Sequence, residues 1–295
     1  MSRRIKVGSR GSNLALWQAR FVIEKLAHFD LECELEVIKT TGDVNRGRFL
    51  EIPGKGIFVK EIEEALLRRD IDLAVHSLKD LPTAQPSGLA ITAVLEREDP
   101  RDVLIARAAT SIQDLAAGAR VGTSSLRRIV QLRSVRSDIR CEELRGNVET
   151  RIRKVQDGHL DAVILAYAGV RRLGLEKHIS RRLEIDEMIP APGQGALAVE
   201  AHQENAELIG ILKQLDDAAT RSATFAERLL LEKLGGGCRY PLGAFARWDQ
   251  DRLTLKAVAA RPDGSDPVRG EVSGASASEA ADRMARLLVE QRIRG

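Results

Sequence analysis

Strand-like and helix-like patterns alternate along the first two thirds of the chain. In a soluble protein that order argues for a parallel α/β sheet. Ile5–Val7 has the pattern of a short strand. Leu14 to Ala27 has helical spacing, with Leu14, Trp17 and Phe21 on one stripe that Val22 and Leu26 widen. Glu34–Lys39 alternates polar and apolar residues like a strand, Val59 to Arg69 is helical, and Leu73–Val75 is a buried strand. A second unit opens near Glu96. Strands are expected at Val103–Ala106, Arg120–Gly122, Ile139–Leu144 and Ala162–Ala166, and helices at Leu126–Arg136 and Val148–Gln156. The nine-residue apolar run from Ala162 to Val170 reads as a buried strand running into a turn. Ile189 to Gly195 punctuates the end of this unit, and Ala196–Ala201 resumes as an apolar strand returning to the first. Two α/β lobes with crossing linkers make a hinged cleft.

At 295 residues the chain exceeds one ordinary core. Its character changes from about Asp216. A helix from Ala218 to Leu234 stops at Gly235-Gly236-Gly237, followed by strand-like runs at Gly243–Arg247, Leu253–Ala260 and Val268–Val272. A last amphipathic helix covers about Ala277 to Arg292, with Ser276 or Ser278 as N-cap. That order suggests a small antiparallel sheet with helices on one face. The expected division is 1–95 with 196–215 as domain 1, 96–195 as an arginine-rich domain 2, and 216–295 as an α+β domain 3. No apolar run approaches the ~18–20 residues of a membrane span, and the basic N-terminus lacks the apolar stretch of a signal peptide. Cys33, Cys141 and Cys238 make neither a disulfide framework nor a paired zinc motif. A reducing cytoplasm is the expected setting.

The net charge of +3 hides an uneven distribution. The basic residues divide into 35 arginines and 11 lysines, and Arg120 to Arg172 holds 11 arginines and one lysine against six acids. Arginine grips planar carboxylates and phosphates bidentately, so the middle of the chain is expected to meet a polyanion. Three successive strand ends deliver arginine: Gly122-Thr123-Ser124-Ser125-Leu126-Arg127-Arg128, Arg145-Gly146-Asn147-Val148-Glu149-Thr150-Arg151 and Ala168-Gly169-Val170-Arg171-Arg172. Ser9-Arg10-Gly11-Ser12-Asn13 follows the first strand in the same way. Arg127 and Arg128 fall in a first helical turn, where the helix dipole disfavours cations, a cost that a bound anion would offset. A cap followed by solvated arginines is the plainer alternative.

Two further residues could carry chemistry. Asp80 closes the segment Ala74-Val75-His76-Ser77-Leu78-Lys79-Asp80-Leu81-Pro82, where a buried strand delivers polar groups at its carboxyl end, the usual side for a ligand in a parallel sheet. A turn in which Asp80 caps a backbone N–H is the alternative. His76 and Asp80 find no third metal ligand at useful spacing. Cys238 follows three glycines and precedes Arg239, an uncovered and electropositive place that suits a nucleophile or a covalent anchor. Equally, the glycines can form a helix C-cap and linker. Thr40 to Gly56 reads as either a binding loop or a surface insertion.

Neither the Gly-x-x-x-x-Gly-Lys-Ser/Thr nor the Gly-x-Gly-x-x-Gly phosphate motif is present. Aromatic residues make up only 3%, too few for stacking on single-stranded nucleic acid. A carboxylate-rich small molecule is the better match. The alternative reading is a plain carboxylate receptor; against it stand the missing signal peptide and a third domain carrying Gly235-Gly236-Gly237-Cys238.

Seven segments, in this order and spacing, resemble the porphobilinogen deaminase (hydroxymethylbilane synthase) family. They are Ser9 to Gln18, Gly54 to Glu61, Ala74 to Pro82, Gly122 to Arg128, Leu144 to Val148, Pro192 to Ala196, and Gly236-Gly237-Cys238. The resemblance implies an α/β fold with two lobes like type II periplasmic binding proteins forming a cleft, plus a small α+β C-terminal domain. It implies a transferase that condenses four porphobilinogen molecules head to tail, losing ammonia, onto a dipyrromethane cofactor held by a thioether on Cys238. Hydrolysis then releases hydroxymethylbilane. Asp80 would be the catalytic carboxylate. Lys79, Asp80, Thr123, Ser125, Arg127, Arg128, Arg145 and Gly146 would hold the cofactor, and Arg10, Ser12, Arg151, Arg172 and Gln194 the substrate. Lys55 and Phe58 would belong to a mobile loop. A cytoplasmic monomer with no metal, nucleic-acid or membrane partner is implied. Positive charge develops on pyrrole nitrogens during such a condensation, and a fixed carboxylate can stabilise it and assist proton transfer. Each ring brings two carboxylates, so a six-ring chain carries about twelve, which suits an arginine-lined cleft.

Overall fold

The computed structural model describes residues 4–41, 59–236 and 240–294. Within them the chain begins β1 (Ile5–Ser9), α1 (Asn13–Ala27), β2 (Cys33–Val37), α2 (Lys60–Leu67), β3 (Leu73–Ser77) and β4 (Leu89–Val94). It continues β5 (Asp102–Ala106), β6 (Arg120–Gly122), α3 (Leu126–Val135), β7 (Arg140–Glu142), α4 (Val148–Gln156), β8 (Ala162–Ala166), α5 (Tyr167–Arg172) and β9 (Arg181–Arg182). It ends β10 (Leu197–His202), α6 (Ala206–Leu212), α7 (Ala218–Lys233), β11 (Leu242–Asp249), β12 (Arg252–Ala259), β13 (Val268–Gly274) and α8 (Ala277–Arg294). Two compact units divide these elements: Met1–Arg97 with Ala196–Arg221, and Glu98–Gly195 with Ser222–Gly295.

The first unit is a five-stranded sheet in the order β2-β1-β3-β10-β4. β1 runs parallel to β2 and β3. β10 enters antiparallel to both β3 and β4. The sheet is therefore mixed, and β4 was not expected from the sequence. A strand that arrives from a distant part of the chain has no crossover helix to set its direction. β3 alternates its faces as a strand must. Leu73 and Val75 pack with Ala19, Val22 and Leu26 of α1, while Ala74 packs with Ile62, Ala65 and Leu66 of α2. The hydroxyl of Ser12 accepts from Ala15 N and caps α1, a contact worth about 1 kcal/mol.

In the second unit a five-stranded sheet runs β7-β6-β8-β5-β9. β6 is parallel to β7 and β8, and β5 is antiparallel to β8 and β9. The apolar run from Ala162 does not end in a turn. β8 stops at Ala166, opposite Asp102 where β5 begins, and the run continues as the buried face of α5. Apolar spacing over so few residues cannot separate strand from helix.

The same unit holds the antiparallel sheet β11-β12-β13. Ala226 and Leu230 of α7 and Ala280, Met284 and Leu288 of α8 share one core with Leu253, Leu255 and Ala257 of β12. Both helices thus cover the sheet's apolar side, as the pattern of elements suggested. Ser276 is the residue that caps α8, accepting from Glu279 N at 3.2 Å. Cys33 and Cys141 are half-buried strand residues whose thiols burial pushes up. No helix among the described residues is long and apolar enough to cross a membrane.

Candidate active site

In the first unit, β3 passes into a single 3-10 turn, Leu78–Asp80. Buried Leu78 and Leu81 hold both ends of this turn, and Leu78 N donates to Ala196 O at 3.0 Å. Asp80 projects from it to the surface. A pocket beside the turn is lined by Asp80, Arg10, Ser12, Gln18, His76 and Ser77. Buried Gln18 joins α1 to the end of β3 by donating from Nε2 to Ser77 Oγ at 2.8 Å. The structure therefore brings Arg10, Ser12 and Asp80 together from sites 70 residues apart in sequence, although Ser12 also caps its helix. Lys79 sits on the same turn. Lys55, Phe58 and Cys238 lie outside the described residues, as does most of the segment Thr40 to Gly56.

In the second unit, the turn after β6 is tied down by its own hydroxyls. Thr123 Oγ1 accepts from Ser125 N at 3.2 Å. Ser124 Oγ donates to Leu144 O and accepts from Leu144 N, both at 2.9 Å. Ser125 makes no side-chain cap bond to α3. The two arginines that follow are buried, and the anion they meet is part of the protein. Arg127 Nη1 reaches Asp102 Oδ2 at 2.8 Å, and Arg128 Nη2 reaches Oδ1 at 2.7 Å. Gln194 Nε2 donates to Oδ1 as well, at 2.9 Å. Burial pushes the Asp102 carboxyl up, but the two guanidiniums outweigh it and hold the group far below the usual carboxylate range. Arg127 Nη1 also donates to Ile189 O. Arg127 Nε is buried without a hydrogen-bond partner among the described residues.

The other strand-end arginines are half-buried or more exposed. Arg145 pairs with Glu143 at 2.9 Å, and Arg151 Nε donates to Gly146 O at 2.8 Å. Arg172, at the end of α5, donates to Gly195 O at 2.6 Å. Burial pulls its pKa down to about 10 despite the opposing charge of Glu98. Gly193 and Gly195, with φ of +74° and +93°, take left-handed conformations that side chains rarely adopt. Between them Gln194 is aimed at Asp102.

Two acids that organise this site carry no sequence signal. Asp102 lies in the charged run Asp99-Pro100-Arg101-Asp102 and looks solvated. Glu227 looks like one more polar residue of α7, yet it is fully buried. Its Oε2 accepts from Gly193 N at 2.7 Å and its Oε1 from Ala246 N at 2.8 Å. It thereby joins α7, the turn carrying Gln194, and β11. Glu227→Gln has one acceptor oxygen where two N–H groups need one each. Urea unfolding should show a loss of about 1–3 kcal/mol; an unchanged midpoint would mean that the clamp is not needed.

The fold thus consists of α/β units with arginines at several strand ends, Arg127 and Arg128 among them holding Asp102. Comparison with known proteins names the class. A family model described as "Porphobilinogen deaminase, dipyromethane cofactor binding domain" matches residues 5–210, and one described as "Porphobilinogen deaminase, C-terminal domain" matches residues 221–290. A porphobilinogen deaminase of Pelotomaculum thermopropionicum is 45% identical over 295 residues, covering 98% of this chain and 95% of its own. One of Desulforudis audaxviator is 48% identical over 277 residues, covering 93% and 90%. The chain belongs to the porphobilinogen deaminase family. Among solved structures, the methionine binding protein MetQ is 14% identical with a TM-score of 0.47, covering 72% of this chain and 89% of its own. The VFT2 domain of Bordetella pertussis BvgS is 16% identical with a TM-score of 0.44, covering 72% and 86%.

Proposed function

We propose that Asp80 is the catalytic carboxylate of the porphobilinogen deaminase reaction in this chain, and that Cys238 carries a dipyrromethane cofactor as a thioether. Family membership makes the protein a transferase of tetrapyrrole biosynthesis that joins four porphobilinogen molecules and releases hydroxymethylbilane. The observation that carries the assignment of Asp80 is its place in one pocket with Arg10. A carboxylate there faces the positive charge that builds on a pyrrole nitrogen as ammonia leaves, and a guanidinium there can grip the ring's carboxylates. Asp80 also stands where it can hold the proton that a pyrrole N–H or α-carbon gives up.

The second unit suits a cofactor rich in carboxylates. Arg127 Nε is a buried donor without a partner among the described residues, and an acceptor oxygen from a ligand would satisfy it. Thr123, Ser125, Arg127, Arg128, Arg145 and Gly146 are the residues we assign to holding the cofactor there, with Lys79 and Asp80 from the first unit. Arg10, Ser12, Arg151, Arg172 and Gln194 are assigned to the substrate. When bound, the cofactor supplies the primer from which the new chain grows. The three-domain division, the type II lobes with a cleft between them, the mobile loop bearing Lys55 and Phe58, the monomeric state and the cytoplasmic setting belong to the same proposal.

The test is intact mass under denaturing conditions, before and after adding porphobilinogen. The expected result is a stable excess of two deaminated porphobilinogen units, with a ladder of further single units after substrate. Cys238→Ser should show neither. A normal adduct on that variant would place the anchor elsewhere, and wild-type protein that stays unmodified would favour a simple carboxylate binder.

A further inference from the structure

Behind the Asp80 pocket lies a buried cluster of ionisable groups to which the reaction above gives no role. His76 of β3 and Glu200 of β10 are 6% and 0% exposed. Ala198 stands opposite His76 and Glu200 opposite Ala74, so the two side chains are diagonal neighbours on one face of the sheet. His76 Nε2 is 3.2 Å from Glu200 Oε2. That is ion-pair distance, yet off the line of a hydrogen bond: among the described residues, Nε2 and both Glu200 oxygens are buried without hydrogen-bond partners. Glu63 of α2 adds another such atom, Oε1. Buried polar groups are nearly always paired, and a cluster of orphans needs an explanation.

α2 packs on β3, β4 and β10. Among the described residues, the charges that act on Glu63 are Glu200 from β10 and His76 from β3; His202, on the same face of β10, lies at the strand's end opposite Leu89. β4 has no ionisable residue. On α2 itself Lys60 pairs with Glu64, and Glu61 accepts from Thr41 N. Ile62, the neighbour of Glu63, lines the Asp80 pocket together with His76.

We propose that Glu63, Glu200 and His76 form one proton-dependent unit that positions the wall of the Asp80 pocket. With Glu63 neutral, a single buried carboxylate faces His76 and α2 seats on the sheet. With Glu63 ionised, two carboxylates crowd one imidazole, and their repulsion works against the seating of α2 and so against the placement of Ile62 and His76. Burial first, and Glu200 second, push the Glu63 carboxyl up to about 7, with His76 opposing. The change therefore falls near neutral pH.

The sign for stability follows from linkage. Unfolded, a Glu side chain releases its proton near pH ~4.3. Folded, Glu63 keeps it to about 7. Stability from this group is full below the unfolded value, declines as pH rises between the two, and falls no further above the folded one. A glutamine at this position stays neutral throughout.

The activity arm of the test rests on the reaction proposed above; the stability arm does not. Wild-type holoenzyme and Glu63→Gln are compared for kcat with porphobilinogen at pH 6 and 8, and for Tm at pH 5 and 7.5. The protonated fraction of a group titrating near 7 falls about tenfold between pH 6 and 8. The variant-to-wild-type ratio of kcat should rise by up to that factor, and the variant's lead in Tm should grow with pH. A flat kcat ratio would overturn the positioning role, and a constant lead in Tm would overturn the titrating unit. Glu200→Gln supplies a second variant: removing the like charge should move the wild-type inflection to lower pH, and an unmoved inflection would dissolve the cluster as a unit. Should neither protein turn over porphobilinogen, the proposed reaction fails, and the Tm comparison alone decides on the cluster.

Discussion

Asp102→Ala should cost about 3–5 kcal/mol in urea unfolding, because it strands Arg127 and Arg128 as buried cations without a counter-charge. Asp102 is fully buried; Arg128 donates to both of its oxygens and Arg127 to Oδ2. Asp102→Asn keeps the shape and one acceptor but not the charge, and should fall between alanine and wild type. The pH dependence has a definite sign. The Asp102 carboxyl is held below its unfolded value, so its contribution is present above about pH 4 and is lost as pH falls further. The wild type should lose stability over that acid limb more steeply than Asp102→Asn. Replacing all three members by apolar residues of similar volume can restore stability, as it does for other buried ion clusters. The triple variant should then fold and still fail to assemble cofactor. A loss under about 1 kcal/mol for Asp102→Ala would mean that both arginines reach water by small movements.

Asp80→Asn should lower kcat by about 10²–10⁴-fold, the range a positioned acid–base group supplies. It should do so without unfolding the protein. Asp80 is exposed, and the buried side chains of Leu78 and Leu81 anchor both ends of its turn. Substitutions at such positions usually change stability by no more than about 0.5 kcal/mol. The measurements are kcat, Tm and the intact mass of the purified variant, whose cofactor should remain attached. Turnover within about threefold of wild type would remove Asp80 from its role. A matching loss of Tm would instead make it a structural turn residue.

Several elements were legible before folding. The periodicity of Leu14 to Ala27 yielded α1, and the helix–strands–helix order after Asp216 yielded the antiparallel sheet with both helices on one side. Apolar spacing, caps and glycines act over a few residues, so a linear reading captures them. β4 and the direction of β10 were not legible, since sheet order depends on contacts between distant segments. The stretch after Ala166 failed for another reason: a short apolar run serves a buried strand and a buried helix face equally well.

The candidate site divides along the same line. Local order placed Asp80 at the end of a strand and arginines at the ends of several others, because a strand that stops must hand its next residues to a turn. Pairing between charges was beyond its reach. Nothing in the local order showed that Arg127 and Arg128, read as donors to an outside anion, also meet Asp102, held in turn by Gln194. Glu227 and Glu200 looked like ordinary acids, and the fold buried both completely. Burial and partnership are properties of the assembled sheets, since a charge is costly or useful only once the water around it has been replaced by protein.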